Sequence, residues 1–131
     1  MAFLDELGVA RLWSKMKSYV AENFGTCTSN TYTSFDGSVV DSGSVTVVKK
    51  GGWCLVHGSI ALTGGVSDMT NVLSSTKVPA PQTGVGIYTT AAYWGSSYTR
   101  NMRVGVGAGG SLRIQYGAAG TYTFSIAYPI S

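Results

Sequence analysis

Charged residues are scarce in this chain, and those present are dispersed. Only 11% of the 131 residues are Asp, Glu, Lys or Arg, and the formal net charge is +3. Proteins that bind nucleic acid usually collect basic residues on one face or along one helix. Here the three cations of the N-terminal segment are matched by three carboxylates, and the other cations are spread through the remaining sequence. We therefore expect no nucleic-acid partner.

Side chains that catalyse reactions or hold metals are also few. His57 is the single histidine, which makes a histidine-rich metal site impossible, and its spacing from Cys27 and Cys54 does not suit zinc. The carboxylates beyond the N-terminal segment are Asp36, Asp41 and Asp68. The first two flank a Gly-Ser turn, which explains them better than the paired acids of a glycosidase. We expect no catalytic residue, no metal, no cofactor and no enzymatic activity.

Long apolar runs are missing as well. No run approaches the roughly 20 residues that a membrane-spanning helix needs. The first residues include Asp5 and Glu6, where a secretory signal would have basic residues. We expect no membrane insertion and no secretory signal, and we expect Cys27 and Cys54 to remain free thiols.

The residues that are abundant indicate a β protein. The chain has 18 glycines and 8 tyrosines, with many Ser and Thr, a composition typical of short strands joined by tight turns. Because 44% of the residues are hydrophobic, the chain can bury a core and is not expected to be disordered. Its length matches a single domain.

Residues 1–25 are predicted to form the exception, an N-terminal helix over about 4–24. Its apolar side chains recur at steps of three and four, which makes one stripe along the helix. The stripe consists of Val9, Leu12, Trp13, Met16, Tyr19, Val20 and Phe24. It can pack on the chain's own β region or on the same stripe of other copies. The heptad spacing lasts only about two heptads, so spacing alone slightly favours the chain's own domain.

The remainder is predicted to be a linker or first strand at 26–44 and a β head at 45–131. Apolar alternation between glycine-rich turns predicts strands at 44–49, 53–62, 85–93, 102–106, 112–116 and 122–128. Residues 66–84 are interpreted as a long connection. The fold class is therefore mainly β, an N-terminal α-helix followed by an antiparallel, jelly-roll-like β-sandwich.

Aromatic residues provide the one candidate binding site. Tyr93, Trp94 and Tyr98 bracket a Gly-Ser-Ser loop, and Arg100 follows it. Flat rings beside polar donors suit saccharides, since the rings stack on C–H faces while the donors bind hydroxyl groups. The alternative is that Tyr93 and Trp94 cap the core or fill a subunit interface, where such residues are also enriched.

Several segments together carry a family resemblance. They are the leader Leu7–Val20, the hairpin Lys49–Trp53, the connection Leu73–Pro79, and the glycine-rich terminal strands that end at Ala127-Tyr128-Pro129. The leader resembles the start of small structural proteins of phages and prophages. The β part is similar to the head of a phage tail fibre or receptor-binding protein.

This resemblance implies a homotrimer whose helices form a coiled coil on the threefold axis, with Val9, Leu12, Trp13, Met16, Tyr19 and Val20 in the contact. It also implies a protein made in the bacterial cytoplasm and located in the virion. Its partners would be other virion proteins and a host-surface glycan. Two alternatives remain open: a monomeric carbohydrate-binding module and a purely structural virion protein without a ligand.

Overall fold

Within the residues that the structure describes, the fold consists of one helix and eight strands. The computed structural model describes residues 6–24, 27–95 and 101–131. The elements are α1 (Glu6–Phe24), β1 (Thr28–Tyr32), β2 (Val40–Lys50), β3 (Trp53–Leu62), β4 (Thr70–Leu73), β5 (Ile87–Tyr93), β6 (Asn101–Val106), β7 (Leu112–Gln115) and β8 (Gly120–Pro129).

All strand pairings are antiparallel and belong to one sheet, in the order β1-β2-β3-β8-β5-β6-β7-β4. Gly51 and Gly52 join β2 to β3 with φ values of 55° and 80°, which a residue with a Cβ adopts poorly. This glycine pair therefore sets the register of the longest hairpin, in which Lys50 pairs with Trp53.

Strand β8 divides the sheet into two halves. It pairs with β3 from Trp53↔Pro129 to Leu62↔Gly120, but with β5 only through Tyr93↔Tyr122 and Ala92↔Thr123. Beyond that short junction the two halves diverge, and the sheet curls into a half-barrel. Buried side chains from both halves, such as Val56 on β3 and Val104 on β6, belong to one hydrophobic cluster.

The predicted fold class is confirmed: a mainly β, antiparallel domain follows one N-terminal helix. Hydrogen bonding through β8 makes one curled sheet of what the sequence suggested as two stacked ones. Strand β4 lies inside the segment interpreted as a connection, and β1 lies in the segment interpreted as a linker or first strand. β1 is polar and mostly exposed, and β4 has four residues, so neither shows the alternation that identifies a strand.

The apolar stripe of α1 is not covered by the β head. Every described side chain from Val9 to Tyr19 is exposed. The exposed fractions are 47% for Leu12, 59% for Trp13 and 52% for Met16. The preference from spacing alone, packing on the chain's own domain, is therefore wrong for this stretch. The side chain of Val20, also predicted in the stripe, lies outside the described residues. No helix in the described ranges is both long and apolar enough to span a membrane.

The C-terminal strand is fixed to the core by a buried polar contact. Tyr128 is fully buried, and its hydroxyl donates a hydrogen bond to the Pro79 carbonyl at 2.8 Å. Cys54 pairs with Tyr128 across β3 and β8 and is a buried free thiol, whereas Cys27 is free and exposed. Burial raises the pKa of both Cys54 and Tyr128, and the Cys54–Tyr128 contact raises that of Tyr128 further.

These raised pKa values predict an alkaline loss of stability. The unfolded chain releases the two protons near the ordinary values of 9.0 for Cys54 and 10.0 for Tyr128, whereas the folded protein retains them. The contribution of these two groups to stability is therefore fully present below pH 9.0, and it is lost as the pH rises above that value. Urea unfolding at several pH values measures this slope, which Tyr128→Phe should reduce.

The same Tyr128→Phe substitution should cost about 1–2 kcal/mol at neutral pH, because the Pro79 carbonyl loses its donor. Tyr116→Phe is the matched control, since Tyr116 is 62% exposed, and it should leave both the stability and the slope unchanged. An alkaline slope that is equally steep in Tyr128→Phe and the wild type would contradict the role assigned to this contact.

Candidate functional site

The predicted aromatic site separates into a structural and an exposed residue. Tyr93 is partly buried against the core, and its ring meets Tyr122 edge-to-face, with 5.5 Å between centroids and 63° between planes. The backbone of Ala118 holds the Tyr122 hydroxyl in place. The hydroxyl accepts a hydrogen bond from the Ala118 N–H at 3.0 Å and donates one to the Ala118 carbonyl at 3.1 Å. Tyr93 therefore packs at the junction of the two sheet halves.

Trp94 is the most exposed large apolar side chain among the described residues of the β head, with 74% of its surface accessible. Its backbone N–H donates to the Thr121 carbonyl at 2.8 Å, which fixes the chain at this point while the ring remains in solvent. Tyr98 and Arg100, the other two predicted ligand residues, lie outside the described residues. The structure thus leaves Trp94 available as a stacking surface and places Tyr93 mainly in packing.

A second site, which the sequence did not indicate, lies on the outer face of β5 and β6. We call it the Tyr88–Arg103 pocket, a concavity of about 350 Å³. It is lined by Tyr88, Thr89, Thr90, Asn101, Met102, Arg103 and Tyr116. Strand register brings these residues together, because Thr90 pairs with Arg103 and Ala92 with Asn101. Trp94 lies near this pocket in the sequence, because it directly follows β5 and Asn101 begins β6.

Arg103 is held in place from two sides within this pocket. Its guanidinium lies 5.3 Å from the centroid of the Tyr88 ring, a cation–π distance, and its Nη1 donates to the Gln115 Oε1 at 3.3 Å. Tyr88 pairs with Gly105, where any Cβ would collide with the ring. The absence of a side chain at Gly105 on β6 therefore leaves the space that the Tyr88 ring occupies.

Tyr116 closes one side of the pocket in an unusual backbone conformation. Its φ is 61°, in the left-handed region that bulky side chains rarely adopt, and 62% of its surface is exposed. Strain of this kind costs on the order of 1–3 kcal/mol and is found most often at binding and catalytic sites. Tyr116 thus combines a strained backbone conformation with an exposed ring at the edge of the pocket.

The outer face of β2, β3 and β8 forms a third surface, a shallow groove of about 730 Å³. It is lined by Ser44, Thr46, Leu55, His57, Gly58, Ser59, Thr123, Phe124 and Ser125. His57 lies in a cross-strand row between Thr46 and Ser125, and is exposed. The groove offers hydroxyl groups for hydrogen bonding. Among the described residues there is no cluster of three or more side chains that could hold a metal ion.

Comparison with known proteins gives a match in structure alone. No protein-family model matches the sequence, and no curated protein matches it. The fold is similar to the crystal structure of the receptor binding protein (gp15) of Listeria phage PSA, with a TM-score of 0.61 at 15% sequence identity. The match covers 96% of this chain and 77% of that chain. The suspected resemblance to phage receptor-binding heads is therefore confirmed at the level of the fold.

The contrast between Tyr93 and Trp94 predicts opposite responses to truncation. Tyr93→Ala should destabilise the protein by roughly 2 kcal/mol, since it removes a ring packed on the core. Trp94→Ala should change the free energy of unfolding by less than about 0.5 kcal/mol, because an exposed ring contributes little packing. Urea denaturation of both variants measures this. A Trp94→Ala loss as large as that of Tyr93→Ala would show that Trp94 is structural.

Proposed function

We propose that this chain is a phage receptor-binding-type virion protein, which assembles as a homotrimer through α1 and presents its β head to a saccharide on the host surface. The observation that carries the proposal is the fold likeness to a phage receptor binding protein over 96% of the chain. α1 contains 19 of the 131 residues, so a match of that extent includes most of the helix as well as the head.

The exposed stripe of α1 supports assembly. The stability of helices in proteins comes mostly from packing an apolar face, not from intrinsic helix propensity. Val9, Leu12, Trp13, Met16 and Tyr19 are all at least 47% exposed in the single chain. Packing the stripes of several copies together buries these side chains, which the chain's own head does not do.

The outer surfaces of the head support saccharide binding. Exposed Trp94 and Tyr116 offer flat rings, and Arg103, Asn101 and Thr90 offer polar groups in the pocket that Tyr116 lines. Saccharide sites combine such rings with a few well-placed hydrogen-bonding groups. These residues lie on β5 and β6 or directly follow β5 and β7, so the proposed ligand site is on one half of the sheet.

Binding to intact bacteria tests this function. Cys27 is exposed, while burial shields Cys54 and raises its pKa, so a maleimide dye labels Cys27 selectively. We expect the labelled protein to decorate a subset of a bacterial panel that includes Listeria, and soluble wall glycans from a labelled strain to compete. Labelling of no strain in the panel would contradict the proposal.

Two exposed tryptophans provide a matched pair for the same assay. Trp94→Ala should weaken labelling about tenfold, since truncating an aromatic residue that anchors a ligand typically costs more than about 1 kcal/mol and about 1.4 kcal/mol is a factor of ten. Trp53, which is 57% exposed at the β2–β3 hairpin on the other sheet half, serves as the control, and Trp53→Ala should bind like the wild type. If Trp94→Ala also binds like the wild type, Trp94 has no part in the site.

A further inference from the structure

The charged residues of strands β4, β5, β6 and β7 are all positive. These strands contain Arg103 and Arg113 but no Asp or Glu. Antiparallel pairing places partner residues on the same face, and the outer face holds two neighbouring rows. One row is Tyr88, Gly105, Arg113 and Asn71, and the other is Thr90, Arg103 and Gln115. Both arginines therefore lie on the face that carries the Tyr88–Arg103 pocket.

The two arginines are close enough to act on one ligand. Arg103 pairs with Gln115, and Arg113 lies two residues before Gln115 on the same strand, so the arginines are diagonal neighbours. Diagonal positions lie roughly 7–8 Å apart, well within the combined reach of two such long side chains. The Arg113 guanidinium lies against Gly107, on the side of Gly105 away from Arg103, so a saccharide that lies along this face can present acceptors to both guanidinium groups.

Neither arginine is neutralised by a carboxylate on these strands. Arg103 contacts the neutral groups of Tyr88 and Gln115, which orient it without removing its charge. Arg113 is half-buried and lies against Gly107, where a Cβ would meet its guanidinium. Its Nε is buried without a hydrogen-bond partner among the residues that the structure describes. A buried donor without a partner is unusual in folded proteins, and a bound acceptor is one of the few explanations for it.

We propose that the outer face of β5, β6 and β7 binds an anionic saccharide, one that carries a carboxylate or a phosphate group. Arg103 and Arg113 bind the anionic group, Tyr116 provides the surface on which the sugar ring stacks, and Asn101, Thr90 and Gln115 bind its hydroxyl groups. This inference rests on the proposed function and adds the chemical class of the ligand and its location.

The strained conformation of Tyr116 is an independent part of the argument. A residue selected for packing or turn formation at φ 61° would be Gly or Asn, which adopt this region readily. Tyrosine is exposed there and gains no core contact in return. Stacking of the sugar ring on the exposed Tyr116 side chain explains why a strained tyrosine is present at this position.

The test is a glycan array with neutral, carboxylated and phosphorylated glycans, probed with the full-length labelled protein. We expect binding to anionic glycans that weakens between about 0.05 and about 0.5 M salt, as exposed charge interactions do. Arg103→Gln and Arg113→Gln should each lower the affinity tenfold or more. Lys50→Gln removes one positive charge from the β2–β3 hairpin on the other sheet half and should change the affinity less than twofold. The array identifies whether carboxylate or phosphate is preferred.

Tyr116→Asn separates a binding role from a structural one. Asn tolerates positive φ, so the melting temperature should be unchanged or higher, while the affinity for the anionic glycan falls. A variant with lower stability and unchanged affinity would overturn the role of Tyr116.

The bacterial labelling assay distinguishes failure of this inference from failure of the proposed function. If the wild type labels bacteria and both arginine variants label them equally well, or if the array shows binding to neutral glycans alone, the anionic site is wrong and the receptor-binding function stands. If the wild type labels no bacteria and binds no glycan, both proposals fail.

Discussion

Strand β8 is the element on which the rest of the head depends. It forms a full ladder with β3 on one side and contributes only Tyr122 and Thr123 to pairing with β5 on the other. The two halves curl around one core, with Tyr122 fully buried where they meet.

This arrangement decides where ligands can bind. With the inner faces used for the core, the outer faces carry the exposed polar and aromatic groups, as expected for strands that alternate between buried and solvated positions. The half that contains β5, β6 and β7 carries two arginines and the Tyr116 ring, while the other half carries hydroxyl groups around His57. The two faces of the head thus differ in chemistry, although they belong to one sheet.

Sequence patterns predicted the parts of the fold that rest on local chemistry. The stripe of α1 and the strands separated by glycine turns could be predicted because their apolar residues repeat with periods of 3.6 and 2 along the sequence. The segment of β1 is predicted only as a linker or first strand, and that of β4 as a connection, since a polar edge strand and a four-residue strand lack that period. Their place is fixed by partners far along the chain, β2 for one and β7 for the other.

The candidate site shows the same division. Trp94 stood out because aromatic residues cluster in its segment. Tyr88, Arg103 and Gln115 gave no such signal, since they are separated in sequence and meet only through the register of β5, β6 and β7. The alternating glycines at 105 and 107 are one local clue in the sequence. They lie beneath the Tyr88 ring and the Arg113 guanidinium.

The separation of roles between α1 and the head is tested most directly by the solution mass, measured by light scattering on a sizing column. We predict a mass near three times the 13.7 kDa of one chain for the wild type. Leu12→Glu with Met16→Glu should shift it to that of one chain, because the added charges oppose burial of the stripe between copies. Ser14→Glu with Ser18→Glu, the same charges on the opposite face, should leave the trimer intact. A wild-type mass near that of one chain would contradict assembly through α1.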